Sequence, residues 1–112
     1  MTKRTRALVV AAIAGSALAA AGPALAKTYT VTAGDLFFKG VPKTLKAGKY
    51  TFTLKNTGQA PHNFSIAGKT TKTIMNGQTA SITVTLKKGK ASYLCKIPGH
   101  AQAGMKGTIT VT

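Results

Sequence analysis

Alternation of apolar residues with threonine is the sequence feature that most restricts the fold of this chain. It runs through four short segments, which read TYTVT, YTFTL, ITVTL and TITVT. A period of two places apolar side chains on one face of a strand and threonine on the other, and threonine suits a pleated sheet because it is β-branched. These segments predict half-buried β-strands.

Turn residues separate the predicted strands at intervals of about eight to twelve residues, as in Asn56-Thr57-Gly58, Ala67-Gly68 and Asn76-Gly77. Short strands at regular spacing are typical of a β-sandwich or a β-barrel. The small size of the chain favours two packed sheets over a closed barrel. We therefore predict an all-β Greek-key β-sandwich of about seven to eight strands.

Residues 1–26 are predicted to be a secretory signal peptide. A basic start is followed by an alanine-rich apolar run, and Ala24-Leu25-Ala26 is an A-x-A cleavage site. The alternative is an uncleaved membrane anchor, which the interruptions at Gly15 and Pro23 disfavour. Residues 27–112 then form a single domain, exported to the periplasm, the cell envelope or the extracellular space, without stable membrane insertion after cleavage.

Lysine gives residues 27–112 a strongly positive charge. Thirteen lysines and no arginine stand against one acidic residue, Asp35, so the net charge of this part is about +12. Such a charge attracts anionic partners, although an evenly solvated lysine surface that only keeps the protein soluble is the alternative. Nucleic acid is not expected as a partner, because no arginine is present for bidentate contacts with bases and an exported protein does not meet a genome.

The segment YLCKIPGHAQAGMKG, residues 93–107, concentrates side chains that bind soft metals. Cys95, the only cysteine, is followed by His100 and Met105 in the pattern C-x4-H-x4-M. These three residues can form one face of a metal site. His62 is the only other histidine and begins a predicted strand about thirty residues upstream. Because loops of a sandwich often meet at one end, we expect His62 to complete the site.

Two imidazoles, a thiolate and a weak thioether ligand form the donor set of a blue-copper site. Zinc is a weaker alternative, since it gains little from a thioether. A Cys-His catalytic dyad is weaker still, because no carboxylate or amide partner is placed near His100. Each residue alone has an ordinary role in packing, but together they make one coordination set. Met75 is assigned to packing in the core or in a turn.

The segments PHNF, residues 61–64, and YLCKIPGHAQAGMKG resemble the ligand motifs of the cupredoxins, the small blue-copper proteins of the plastocyanin and azurin type. The resemblance extends over residues 27–112 and implies one copper ion, Cu(I) or Cu(II), bound by His62, Cys95, His100 and Met105. It also implies that Asn63 ties the two ligand loops together. The loop is a hybrid, with the azurin spacing from Cys to His and the plastocyanin spacing from His to Met.

The resemblance implies a monomeric carrier of single electrons between redox proteins, and not an enzyme. We expect His100 to be the port for the electron and the partners to have acidic docking surfaces. The expected docking surface has small or apolar residues and a cationic rim: Pro98, Gly99, Ala101, Ala103, Lys96 and Lys106. Two alternatives remain, an exported copper carrier or scavenger without redox duty and a metal-free cationic binding module.

Overall fold

The computed structural model describes residues 25–112 of the 112-residue chain. The predicted signal peptide therefore lies outside the described residues, except for Leu25 and Ala26. The first strand begins at Lys27, directly after the predicted cleavage site. Residues 25–112 form no helix that is long and apolar enough to cross a lipid bilayer.

Nine β-strands make up the regular secondary structure of residues 25–112. They are β1 (Lys27–Gly34), β2 (Phe37–Lys39), β3 (Thr44–Leu45), β4 (Gly48–Asn56), β5 (Ser65–Ile66), β6 (Lys69–Thr70), β7 (Thr79–Leu86), β8 (Gly89–Leu94) and β9 (Lys106–Val111). The count exceeds the predicted seven to eight because β3, β5 and β6 have only two residues each. A period of two cannot be recognised in so short a segment.

The strands form two sheets that pack as a sandwich, and this confirms the predicted fold class. One sheet has the order β2-β1-β4-β7 and the other the order β3-β9-β8-β5-β6. β1 pairs in parallel with β4, and β3 pairs in parallel with β9, whereas the remaining pairs are antiparallel. The alternation in sequence did not reveal the parallel pairs, because a period of two reports which face a residue occupies and not the strand direction.

Strand β4 shows how the alternation builds the core. Phe52 and Leu54 point inward and are fully buried. The ring of Phe52 packs against that of Phe64, which precedes β5 in the other sheet, with the ring centroids 5.5 Å apart. On the outer face, Thr51 Oγ1 lies 2.8 Å from Thr83 Oγ1 on β7. Aromatic packing thus joins the two sheets, while threonine pairs cover the surface.

Strand direction sorts the loops into two groups at opposite ends of the sandwich. The register pairs Ala33 with Asn56 and Leu94 with Lys106, so the segments after Ala33, Asn56 and Leu94, the last of which ends at Lys106, meet at one end. We call this the ligand end; it comprises residues 35–36, 57–64, 72–78 and 95–105. The far end comprises Lys27 with residues 43–49 and 86–90, next to the pairs Gly48 with Leu86 and Gly89 with Val111. The nine residues of β4 separate the two ends by about 30 Å.

We predict that Phe52→Ala lowers the free energy of unfolding by about 3–5 kcal/mol, because it removes a buried ring and leaves a cavity between the sheets. Thr51→Ala, on the same strand but facing outward, is the matched control and should cost less than about 1 kcal/mol. Urea denaturation of the metal-free protein measures both values. Equal losses for the two variants would contradict this assignment of the core face.

Candidate metal centre

Three of the four predicted ligands lie together at the ligand end. One donor atom each from His62, Cys95 and His100 lies within 4.8 Å of the other two. Cys95 Sγ is 3.5 Å from His100 Nδ1, and the two imidazole centroids are 5.0 Å apart. His62 and Cys95 are 0% and 1% exposed, whereas His100 is partly exposed. The fold therefore joins donors from two distant segments in a cluster that is closed on the inside and open at His100.

Backbone hydrogen bonds fix the loop that carries Cys95, His100 and Met105. The N–H of Cys95 donates to the carbonyl of Met105 at 3.1 Å, and the N–H of Met105 donates to the carbonyl of His100 at 3.0 Å. Gly99 has a φ of 85°, which glycine adopts at little cost, and the chain turns there just before His100. The Met105 side chain is fully buried. The loop thus holds the fourth predicted ligand beside the other residues of its own segment.

His62 reaches the centre from the segment between β4 and β5. Its backbone forms two hydrogen bonds with Ile74, of 3.0 and 2.9 Å. Nε2 lies 3.0 Å from Asp35 Oδ1, whereas Nδ1 is buried and has no hydrogen-bond partner among the described residues. A buried polar atom without a partner is costly, and a metal ion would satisfy it. Nδ1 is therefore the nitrogen of His62 that is available as a ligand.

Asp35 is a residue of this centre that sequence analysis missed. It lies in the turn between β1 and β2, and its half-exposed carboxylate accepts hydrogen bonds from the backbone N–H groups of Gln59 and Ala60, each 3.0 Å long. The N–H of Ala60, that of Gln59 and the bond to His62 lower the pKa of Asp35 from 3.8 to about 2. The carboxylate is therefore ionised at neutral pH and can only accept, so His62 Nε2 carries the proton.

Asn56 is a second residue that sequence analysis missed. Its buried amide donates to the carbonyl groups of Ala60 and Ile74, at 2.9 and 2.8 Å, and accepts from the N–H of Gly58 at 2.8 Å. These bonds shape the loop that precedes His62. The Asn-Thr-Gly motif predicted a turn at this position, but nothing in the motif indicated that the asparagine would be buried.

Asn63 connects the two ligand-bearing segments. Its Oδ1 accepts a hydrogen bond of 2.7 Å from the N–H of Lys96, the residue after Cys95. Its Nδ2 donates to Thr73 Oγ1 at 3.2 Å. The Asn63 side chain therefore spans the gap that separates the His62 segment from the Cys95 loop. This is the contact that the resemblance to the cupredoxins implies for the residue.

The predicted docking residues belong to the segment that carries His100, from Lys96 to Lys106. Of these, Pro98, Gly99, Ala103, Lys96 and Lys106 are exposed, and Ala101 is half-buried. Large exposed apolar side chains on other segments of the described chain also lie at or beside this end: Leu36, Phe37 and Met75. Met75 is 53% exposed and begins a turn in which its carbonyl accepts from the N–H of Gln78, so of the two places assigned to it, core or turn, the structure shows the turn.

Three solved structures with a similar fold are auracyanins. The dithionite-reduced auracyanin of the photosynthetic bacterium Roseiflexus castenholzii is 26% identical, with 81% of this chain and 99% of that chain covered and a TM-score of 0.68. Auracyanin B is 24% identical over 81% and 92% of the two chains, with a TM-score of 0.70. Auracyanin A, a blue copper protein of the green thermophilic photosynthetic bacterium Chloroflexus aurantiacus, is 22% identical over 81% and 100%, with a TM-score of 0.66. Because auracyanin B and auracyanin A are less than 25% identical to this chain, they show only that it shares their fold.

Family membership follows from a match over nearly the whole chain. No curated protein matches the sequence significantly. The family model described as the cupredoxin-like domain, however, matches residues 5–111. Cupredoxins bind one copper ion, and the thiolate and two imidazoles that converge here, with the unpaired Nδ1 of His62, fit that ion. The chain therefore belongs to the cupredoxin-like family.

Proposed function

We propose that this cupredoxin is an exported, mononuclear type 1 copper protein that shuttles single electrons between redox partners. The proposed ligands are His62, Cys95, His100 and Met105. The observation that carries the proposal is the cluster of three donor atoms within 4.8 Å of one another, two of them on buried residues and the third on the partly exposed His100. Burial protects the thiolate, and exposure gives the centre one contact with the surface.

The donor types support copper over zinc. Thiolate and thioether are soft ligands that suit Cu(I), and imidazole suits both oxidation states. Zinc sites more often use additional cysteines or a carboxylate, and the one carboxylate of this chain is already bonded to His62 Nε2 and two backbone N–H groups. Copper, when bound, supplies one-electron cycling between Cu(I) and Cu(II).

The contribution of the chain is to hold the donors still. A backbone hydrogen bond joins Cys95 to Met105, and a hydrogen bond from the backbone N–H of Lys96 to the Asn63 side chain joins the Cys95 loop to the His62 segment. These hydrogen bonds belong to the fold and do not depend on the charge of an ion. We therefore expect little rearrangement of the donors when the oxidation state changes, which is the condition for rapid electron exchange.

Export, monomeric state and a role as carrier rather than enzyme complete the proposal. The predicted signal peptide supports location in the periplasm, in the cell envelope or outside the cell. An unpaired cysteine in an oxidising compartment needs protection, and Cys95 is 1% exposed. A bound copper ion would occupy the thiolate further. These features suit a carrier whose single surface contact is the edge of His100.

Electron partners are proposed to dock at the surface around His100. The exposed Pro98, Gly99 and Ala103 have little side chain to prevent close approach. Lys96 and Lys106 border this surface with positive charge, which supports a partner with an acidic docking surface.

The absorption spectrum of the protein tests for copper. Addition of Cu(II) to the protein purified after export should produce an intense blue absorption band, because a thiolate bound to Cu(II) gives strong charge transfer. Cys95→Ser should abolish the band and leave the fold intact, as checked by circular dichroism. A colourless wild-type protein would refute the copper proposal. Voltammetry then distinguishes an electron carrier from a copper-delivery protein, since only the electron carrier requires fast reversible one-electron cycling.

Oxidation of the reduced protein by ferricyanide, which is an anion, tests the docking surface. The second-order rate should fall as salt rises, and Lys96→Glu with Lys106→Glu should slow it by roughly tenfold at low salt. Lys87→Glu with Lys88→Glu, at the far end, changes the net charge equally and is the matched control. If both double variants slow the reaction equally, electrons do not leave through the surface around His100.

A further inference from the structure

We propose that Asp35 is a positioning residue for His62 and that its negative charge lowers the reduction potential of the copper centre. The proposal rests on the copper function proposed above. Asp35 is the only acidic residue in a sequence with a formal net charge of +15, and it contacts the one histidine that is fully buried. Neither fact follows from the ligand motif, which places no demand on residue 35.

Hydrogen bonds from the segment that carries His62 hold the Asp35 carboxylate in place. Oδ1 accepts from His62 Nε2 and from the N–H of Ala60, and Oδ2 accepts from the N–H of Gln59, all at 3.0 Å. Gly58 leaves the space that the carboxylate occupies, since a Cβ at this glycine would lie 2.4 Å from Oδ1. Asp35 thus binds the backbone of the loop and the imidazole that follows it as one unit.

The turn that presents Asp35 is itself unusual. Leu36 has a φ of 71°, a left-handed conformation that glycine or asparagine normally adopts. Strand pairing on both sides, with Gly34 opposite Phe37, imposes this tight two-residue connection. A strained backbone persists only when its surroundings determine it, and the turn that holds this strain carries the carboxylate that contacts His62.

A carboxylate affects His62 in two separable ways. As an acceptor it keeps the proton on Nε2 and leaves the lone pair on Nδ1, which is buried without a hydrogen-bond partner among the described residues. As an anion it makes the imidazole a stronger donor and favours the more positive ion, Cu(II), over Cu(I). A neutral acceptor in the same place would supply the first effect without the second.

Asp35→Asn separates the two effects, because the amide oxygen can still accept from Nε2. We expect this variant to keep the blue band and to shift the ratio of Cu(II) to Cu(I) affinity at least tenfold toward Cu(I), a rise of 59 mV in a one-electron potential. Thr85→Lys, which changes the net charge by the same amount on β7 opposite Lys49 of the far end, is the matched control and should shift the potential less. A potential that Asp35→Asn leaves unchanged, or that both variants raise equally, overturns the role of the charge.

Positioning is tested without copper. Long-range proton–nitrogen NMR of the metal-free protein should show the Nε2–H form of His62 in the wild type and in Asp35→Asn, and a mixture of tautomers in Asp35→Ala. The same tautomer in all three proteins overturns the positioning role. A wild-type protein that shows this tautomer but no blue band refutes the copper function and the effect on potential, and retains the positioning of His62.

Lysine is concentrated at the far end of the sandwich, and this surface carries a second and independent inference. Seven of the thirteen lysines after residue 26 lie there, and all seven are exposed: Lys27, Lys43, Lys46, Lys49, Lys87, Lys88 and Lys90. The only acid, Asp35, lies at the ligand end. The far end therefore has no negative side chain to offset its charge.

Strand pairing gathers these lysines onto one surface. In one sheet, Lys49 pairs with Thr85, two residues before the turn at 87–88. In the other sheet, Lys90 pairs with position 110, whose N–H donates to the carbonyl of Lys43 at 2.8 Å. The surface thus crosses the end of both sheets. Its distance from the ligand end is about 17 Å along β8, from Lys90 to Cys95, and about 30 Å along the nine residues of β4, which is roughly two to four times the Debye length of about 8 Å at physiological salt.

We infer that this lysine surface docks on an anionic lipid bilayer and leaves the ligand end facing away from the membrane. Lysine without arginine provides diffuse attraction, which suits a broad array of lipid phosphates. A flat charged surface can meet the lysines of both sheets at once, whereas a small anion would meet one or two. Lys27, the first residue after the predicted signal peptide, also lies at this end.

Sedimentation with phosphatidylcholine vesicles, with and without phosphatidylglycerol, tests this inference on the protein purified after export. Binding should require phosphatidylglycerol and should weaken roughly tenfold or more in Lys87→Glu with Lys88→Glu. Lys96→Glu with Lys106→Glu carries the same change in net charge at the ligand end and should weaken binding much less.

Three outcomes would overturn the lipid assignment. Equal loss in the two double variants would mean that net charge, and not the far end, determines binding. Equal binding to vesicles without phosphatidylglycerol would exclude the charge of the lipid as the cause. Tighter binding to polyglutamate or to DNA than to vesicles of the same charge concentration would identify an acidic protein or a nucleic acid as the partner.

Discussion

The packing of Phe64 is the contact on which the centre depends. Its ring lies 5.1 Å from that of Phe38, 5.5 Å from that of Phe52 and 5.4 Å from that of Tyr93. These neighbours belong to β2, β4 and β8, so one buried ring fixes the His62 segment against both sheets. The end of β8 leads directly into Cys95. Aromatic packing in the core therefore sets the distance between the two ligand-bearing segments. The hydrogen bond from the N–H of Lys96 to the Asn63 side chain joins the same two segments.

Much of this fold could be predicted because the alternation of threonine with apolar residues reports burial directly. Phe52 and Leu54 are buried as their positions in YTFTL require. The cluster of His62, Cys95 and His100 was predictable for a related reason, since rare residue types of matching chemistry fall on loops that a sandwich brings together. Local periodicity and ligand chemistry are both readable from the sequence without knowledge of strand order.

Asp35 could not be predicted in the same way, because its contact with His62 depends on strand order. β1 must lie beside β4 in parallel for the turn after Gly34 to reach the loop after Asn56. Neither the period of β1 nor that of β4 contains this information. The only signal in the sequence was compositional, since a single acid in so basic a chain stood out, but composition does not identify a partner.

The segregation of charge also explains how so basic a domain accommodates a cation. A metal ion adds positive charge to a domain with a net charge of about +12, and evenly spread lysines would oppose it from every side. Here seven lysines lie at the far end, where a distance of about 17–30 Å and screening by salt weaken their influence on the centre. The one carboxylate lies 3.0 Å from the His62 ring, where its field is strongest. At this position the carboxylate offsets part of the positive charge that Lys96 and Lys106 bring to the ligand end, although the domain as a whole is strongly positive.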